Sequence, residues 1–133
     1  MERVDLLFKG VLTGVGALFS MLVEGMGLAF TILLIMQAAD YVTGLIAAGT
    51  KGKLKSSIGF KGLAKKMYVL ILVGVVYLLE VNIFGTNHLA DGVCIAYIVM
   101  ELISITENGG KMGAPMPPQV KKLIDSLQKG EGK

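Results

Sequence analysis

Charged side chains are scarce in this sequence. They make up 17% of its 133 residues, against 53% that are hydrophobic, and the mean hydropathy is +0.68. A soluble domain this small needs more polar surface to cover its core, so the expected solvent is the bilayer. The one cysteine, Cys94, excludes an internal disulfide and stands in an apolar run, where a packing role is expected. The one histidine, His88, has no ligand partners at metal-binding spacing and reads as an exposed turn residue. There is no Ser/His/Asp set, no phosphate-binding loop and no dinucleotide fingerprint. Catalysis, cofactors and metals therefore have no footing. A removable signal peptide is not expected either, because MERVDLLFK at the start mixes acids with bases and no small-residue cleavage site follows a compact apolar core.

What is present is a series of apolar segments. Residues 26–48 (MGLAFTILLIMQAADYVTGLIAA) form the clearest span, since about 20 residues cross the hydrocarbon. Residues 67–84 and 89–106 form two more, joined by the tight turn GTNH into a hairpin of antiparallel helices. The N-terminal segment, residues 1–25, is apolar but carries Lys9 and several glycines. An interfacial amphipathic or re-entrant placement is favoured for it, with a span as the alternative. The fold expected is thus an all-α integral membrane protein. It has three transmembrane helices, or four if the first segment crosses, and the whole chain forms one domain.

Charge sets the expected orientation. Residues 50–66 read as a basic loop holding Lys51, Lys53, Lys55, Lys61, Lys65 and Lys66 without an acid, and the tail, residues 109–133, is also rich in lysine. The turn at residues 85–88 has no lysine or arginine. Positive-inside bias puts loop and tail in the cytoplasm and the turn outside. In the tail, GGKMGAPMPP breaks any helix. Val120, Leu123, Ile124 and Leu127 then share one face of a short amphipathic helix. The basic loop has no interleaved aromatics beyond Phe60 and no nucleic-acid-binding module, so topology and anionic lipid explain its lysines better than nucleic acid does.

Ionisable residues inside spans are costly and mark candidate sites. Glu80 and Asp91 flank the outer turn and read as solvated helix ends. Asp40 and Glu101 lie deeper, at comparable depth on two helices, with Gln37 one turn before Asp40 and with Tyr97 and Ser104 beside Glu101 at helical spacing. They are expected either to line a wet seam or to pair with Lys65 or Lys66; a structural lock between helices is the plainer reading. Small-xxx-small pairs at Gly10/Gly14, Gly16/Ser20, Gly44/Ala48 and Gly92/Ala96 offer faces where helices can approach closely, within one protomer or between protomers.

DYVTG at residues 40–44, SSIGFKGLAKK at 56–66, ELISITEN at 101–108 and KMGAPMP at 111–117 follow one another in an order and spacing that resembles the toxin-secretion/phage lysis holins of Gram-positive hosts. The likeness covers about two thirds of the chain, from Asp40 to near Lys129, and GVGALFSMLVEG at residues 14–25 is similar in character. Glu80 stands where such proteins often carry Asp.

The resemblance implies a phage or prophage protein of the bacterial cytoplasmic membrane. Such a protein associates with itself and permeabilises the membrane at a set time, so that a partner endolysin, or a large toxin, is released. It implies no catalytic residues. The positions it singles out for assembly are Asp40, Gly44, Ser57, Gly59, Lys61, Gly62, Lys65, Glu101, Glu107 and Asn108. The alternatives are an antiholin, which restrains a holin of similar shape, and an accessory subunit of a secretion or transport complex.

Overall fold

Gly27 breaks what would otherwise be one apolar rod. The computed structural model describes residues 2–86 and 88–131. Helix α1 runs Glu2–Met26 and α2 runs Leu28–Thr50. Between them Gly27 takes φ 69° and ψ −129°, a conformation that a residue with a Cβ adopts only at a cost. Its N–H still donates to the Val23 carbonyl at 2.9 Å. The hydrogen-bond ladder therefore reaches the joint while the chain changes direction.

Helix α3, Ser56–Leu79, widens at its end into a π-helical turn, Glu80–Phe84. Gly85 closes that turn in the left-handed region (φ 65°, ψ 19°), its N–H donating to the Glu80 carbonyl at 2.8 Å. Helix α4 covers Leu89–Lys111, and α5 covers Pro118–Glu131. Pro118 opens α5 at the first helical position, where its missing N–H would have had no intrahelical partner. On α5, Ile124 is buried and Val120 and Leu127 are half-buried, while Leu123 of the same expected face is exposed.

One expectation changes. The basic region 50–66 is a loop only through its first part, because residues 56–66 are the opening turns of α3. Glycine, serine and lysine there suggest a loop by propensity, but Gly59 and Gly62 lie against the Tyr41 ring of α2. Such a tertiary contact overrides weak helix propensity. The first segment is a 25-residue helix, a form that suits either of its expected placements, and among the described residues four helices (Glu2–Met26, Leu28–Thr50, Ser56–Phe84 and Leu89–Lys111) are long and apolar enough to cross a membrane.

The core is one cluster drawn from four helices: Leu22 of α1, Phe30 and Leu33 of α2, Leu70 and Val73 of α3, and Cys94 of α4. Cys94 is fully buried among these apolar side chains, in keeping with a packing role. Each helix contributes a stripe at helical spacing, such as Phe30, Leu33, Gln37 and Ala47 on α2 or Leu70 and Val73 on α3. Only the end of α1 joins the core. Leu22 packs on Gly74, where a Cβ would meet Leu22 Cδ1 at 3.3 Å, and the Phe19 and Phe30 rings lie 6.2 Å apart. Residues 2–18 of α1 are exposed on every face, including Leu6, Leu7 and Phe8.

Candidate functional site

Below the apolar core, toward the lysine-rich end, the same stripes turn polar. On α2 the register that buries Phe30 and Leu33 continues to Gln37, Asp40 and Gly44. On α3 the register of Val73 and Leu70 runs back to Lys66, Gly62 and Gly59. On α4 that of Cys94 leads to Glu101 and Asn108. At 1.5 Å per residue, Asp40, Lys66 and Glu101 each lie about 15 Å from the basic end of their helix. They form one polar layer near the helix midpoints.

Lys66 is its centre. Its Nζ donates to Asp40 Oδ2 at 2.7 Å and to Glu101 Oε2 and Oε1 at 2.9 and 3.0 Å. Asn108 closes the other side of Asp40. Its Nδ2 donates to Asp40 Oδ1 at 2.9 Å, to the Asp40 carbonyl at 3.1 Å and to Thr43 Oγ1 at 2.9 Å. Gln37 Nε2 donates to the Lys66 carbonyl at 3.3 Å, and Tyr41 donates its hydroxyl proton to the Gly59 carbonyl at 3.2 Å. Asp40, Lys66 and Glu101 keep side-chain exposures of only 12–15%. Among the described residues, no buried side-chain polar atom lacks a partner.

Two carboxylates and one ammonium ion cross-link α2, α3 and α4. Such a layer holds charge in an apolar setting only because each group is paired and hydrogen-bonded. Gly44 faces α4 at this level, where a Cβ would make an ordinary contact with Asn108 Nδ2 at 3.6 Å.

Of the residues singled out from sequence, Asp40, Gly44, Glu101 and Asn108 meet in this layer. Gly59 and Gly62 adjoin it through Tyr41. Ser57, Lys61, Lys65 and Glu107 are exposed and lie outside the cluster. The lysine that pairs is Lys66, while Lys65, one position earlier, is rotated about 100° around the helix to the outer surface. Thr43 and Tyr41 complete the layer, and the sequence alone does not single them out. Their signal is the register of α2 itself, once α3 is seen to begin at Ser56.

Glu80 corrects another expectation. It is not a solvated helix end but a buried side chain, with 3% of its surface exposed. Its Oε1 accepts from the Leu89 N–H at 2.7 Å and the Thr86 hydroxyl at 3.2 Å, and its Oε2 accepts from the Ala90 N–H at 2.8 Å. It caps α4 from another element, where free N–H groups and the helix dipole favour a negative charge. The π-helical turn and Gly85 bring it there.

The four apolar helices, joined through one core and one internal polar layer, define a multi-pass helical membrane protein. The chain belongs to the bacteriophage holin family, whose model matches residues 17–129. It is 38% identical over 121 residues to an uncharacterized protein of Listeria monocytogenes, covering 91% of this chain and 86% of that protein. It is 36% identical over 135 residues to an uncharacterized protein of Halalkalibacterium halodurans, covering 98% and 100%. An uncharacterized 14.9 kDa protein from the nagH 3′ region of Clostridium perfringens is 30% identical over 128 residues, covering 96% and 97%. No solved structure matches. Family and fold together point to a non-enzymatic membrane protein.

Proposed function

We propose that this chain is a phage or prophage holin. It accumulates in the bacterial cytoplasmic membrane, associates with itself and, at a set time, opens the membrane to a partner endolysin. The observation that carries the reading is the closed polar layer of Asp40, Lys66, Glu101 and Asn108 inside a bundle of membrane-length helices. A lone protomer must hide these groups from lipid, because an ionisable side chain there costs at least about 2.5 kcal/mol. An assembly can turn the same faces toward water. The bundle is then the resting form, and rearrangement of α2, α3 and α4 exposes the layer to line a hole.

The free part of α1 supports self-association. Gly10 and Gly14 form a GxxxG pair with nothing within 4 Å of the position a Cβ would take, on a stretch exposed all round. That face suits the close approach of a helix from another protomer. The basic end, with the residue 51–55 loop and the tail, is assigned to the cytoplasm on positive-inside bias, and Glu80 with its turn to the outside. Ser57, Lys61 and Glu107, exposed nearer the basic ends of α3 and α4, then face the cytoplasmic side, where contacts between neighbours in an assembly would form, and Lys65, deeper on α3, reaches toward that side with its long side chain.

The test is culture density after induction of the chain together with a wall-degrading endolysin that lacks its own export signal. Lysis that requires both proteins is expected. A culture that keeps growing with both present would move the reading to an antiholin or an accessory subunit.

A further inference from the structure

A cavity of about 600 Å³ opens at the basic end of the bundle, between the end of α2, the residue 51–55 loop, the start of α3 and the end of α4. Its size lies within the range of about 300–1,000 Å³ typical of small-molecule sites. Lys51, Lys53, Lys55 and Lys111 all line it. These lysines come from two separate parts of the chain, and the fold brings them to one opening. Beside them Leu54 and Ile58 also line the cavity, and each leaves more than half of its surface exposed. Among the described residues, the one acid in the lining is Asp40. Its carboxylate is already taken by Lys66 and Asn108, so the positive rim is not offset by a free negative charge below it.

We infer that this cavity is a binding site for one anionic phospholipid, with the phosphate held by Lys51, Lys53, Lys55 and Lys111 and the upper acyl chain against Leu54 and Ile58. Three observations fit that occupant together. The opening lies at the ends of membrane-length helices, where headgroups lie. The charge of the rim is complementary to a phosphodiester. The exposed leucine and isoleucine would gain nothing from a free phosphate or a soluble nucleotide. Basic pockets between membrane helices take anionic headgroups in this way, and each lysine near an anionic surface contributes roughly fivefold in affinity. The site is independent of whether the chain opens the membrane.

The experiment uses the full chain purified in a mild detergent, exchanged into mixtures of dioleoylphosphatidylglycerol and dioleoylphosphatidylcholine, with retained lipid counted by native mass spectrometry. One phosphatidylglycerol per protomer is expected to survive in preference to phosphatidylcholine. Replacing Lys51, Lys53, Lys55 and Lys111 together by Gln is expected to lower that retention at least about tenfold. A charge-matched control, Gln at Lys61, Lys65, Lys121 and Lys122, none of which lines the cavity, is expected to leave it within about twofold. Ala48→Leu, which pushes a larger side chain into the cavity at constant charge, is expected to lower it as well. Equal loss in both lysine sets would show general surface attraction and overturn the site. Equal retention of the two lipids would overturn it, and so would full displacement by inorganic phosphate.

Discussion

Lys66 Nζ lies 2.7 Å from Asp40 Oδ2, an ion pair between residues 26 positions apart that fastens α3 to α2 inside a membrane-length bundle. The same nitrogen holds Glu101 of α4 at 2.9 Å. One cation thus serves two acids, and the consequences of removing each partner are unequal.

Lys66→Met leaves two carboxylates facing each other without a cation. Breaking a buried pair by deleting one partner costs about 3–5 kcal/mol, so this variant is expected to lose that much in detergent, read as thermal or denaturant unfolding by circular dichroism. Adding Asp40→Asn and Glu101→Gln to it should return most of the loss, since no charge is then buried. A Lys66→Met protein as stable as the parent would show that the layer does not hold the helices together.

Asn108→Ala removes the donor to Asp40 Oδ1, the Asp40 carbonyl and Thr43 Oγ1. The expected cost is about 1–3 kcal/mol, the desolvation penalty of an acceptor left bare. Asn108→Asp should cost more, because it sets a third carboxylate beside Asp40. The order of the two in unfolding experiments checks the geometry.

Glu80→Gln keeps the shape but loses the charge at the α4 N-terminus, and Glu80→Ala loses the acceptors too. Losses of about 1 and 2 kcal/mol are expected, respectively. Faster hydrogen exchange confined to the Leu89 and Ala90 amides, the two that Glu80 accepts, would identify the capping role. A surface acid would show neither effect.

Gly74→Leu is expected to push Leu22 away and undock the end of α1 from α3, since even a Cβ at Gly74 meets Leu22 Cδ1 at 3.3 Å. Hydrogen exchange across residues 19–26, the docked end of α1, should quicken, while α2, α3 and α4 stay together through their polar layer. By contrast, Gly10→Leu with Gly14→Leu should leave the protomer's stability unchanged and reduce cross-linked oligomers in membranes, if α1 is the contact between protomers.

Part of this architecture is plain in the sequence, and the rest is hidden for physical reasons. Asp40 and Glu101 stand out because an acid in an apolar run is too costly to be kept without a partner or a task. The helices of residues 28–50 and 89–111 announce themselves by length and hydropathy. Lys66 cannot be told from Lys65 as long as residues 56–66 read as a loop. Gly59 and Gly62 argue against a helix by propensity, and only the Tyr41 ring packed on them explains why one forms. Glu80 is illegible for a different reason. Two of its three partners are backbone N–H groups on a helix nine and ten residues later, which carry no side-chain signal.

Under the proposed function, this chain opens the membrane by itself. Membrane potential followed in a culture induced for this chain alone, with no endolysin and with its presence in the membrane verified, tests that claim directly. The predicted result is a lag at normal potential followed by an abrupt collapse, with the lag shortened in Lys66→Met because the resting bundle is weakened. Cells that stay polarised with the protein accumulated in their membrane would contradict it.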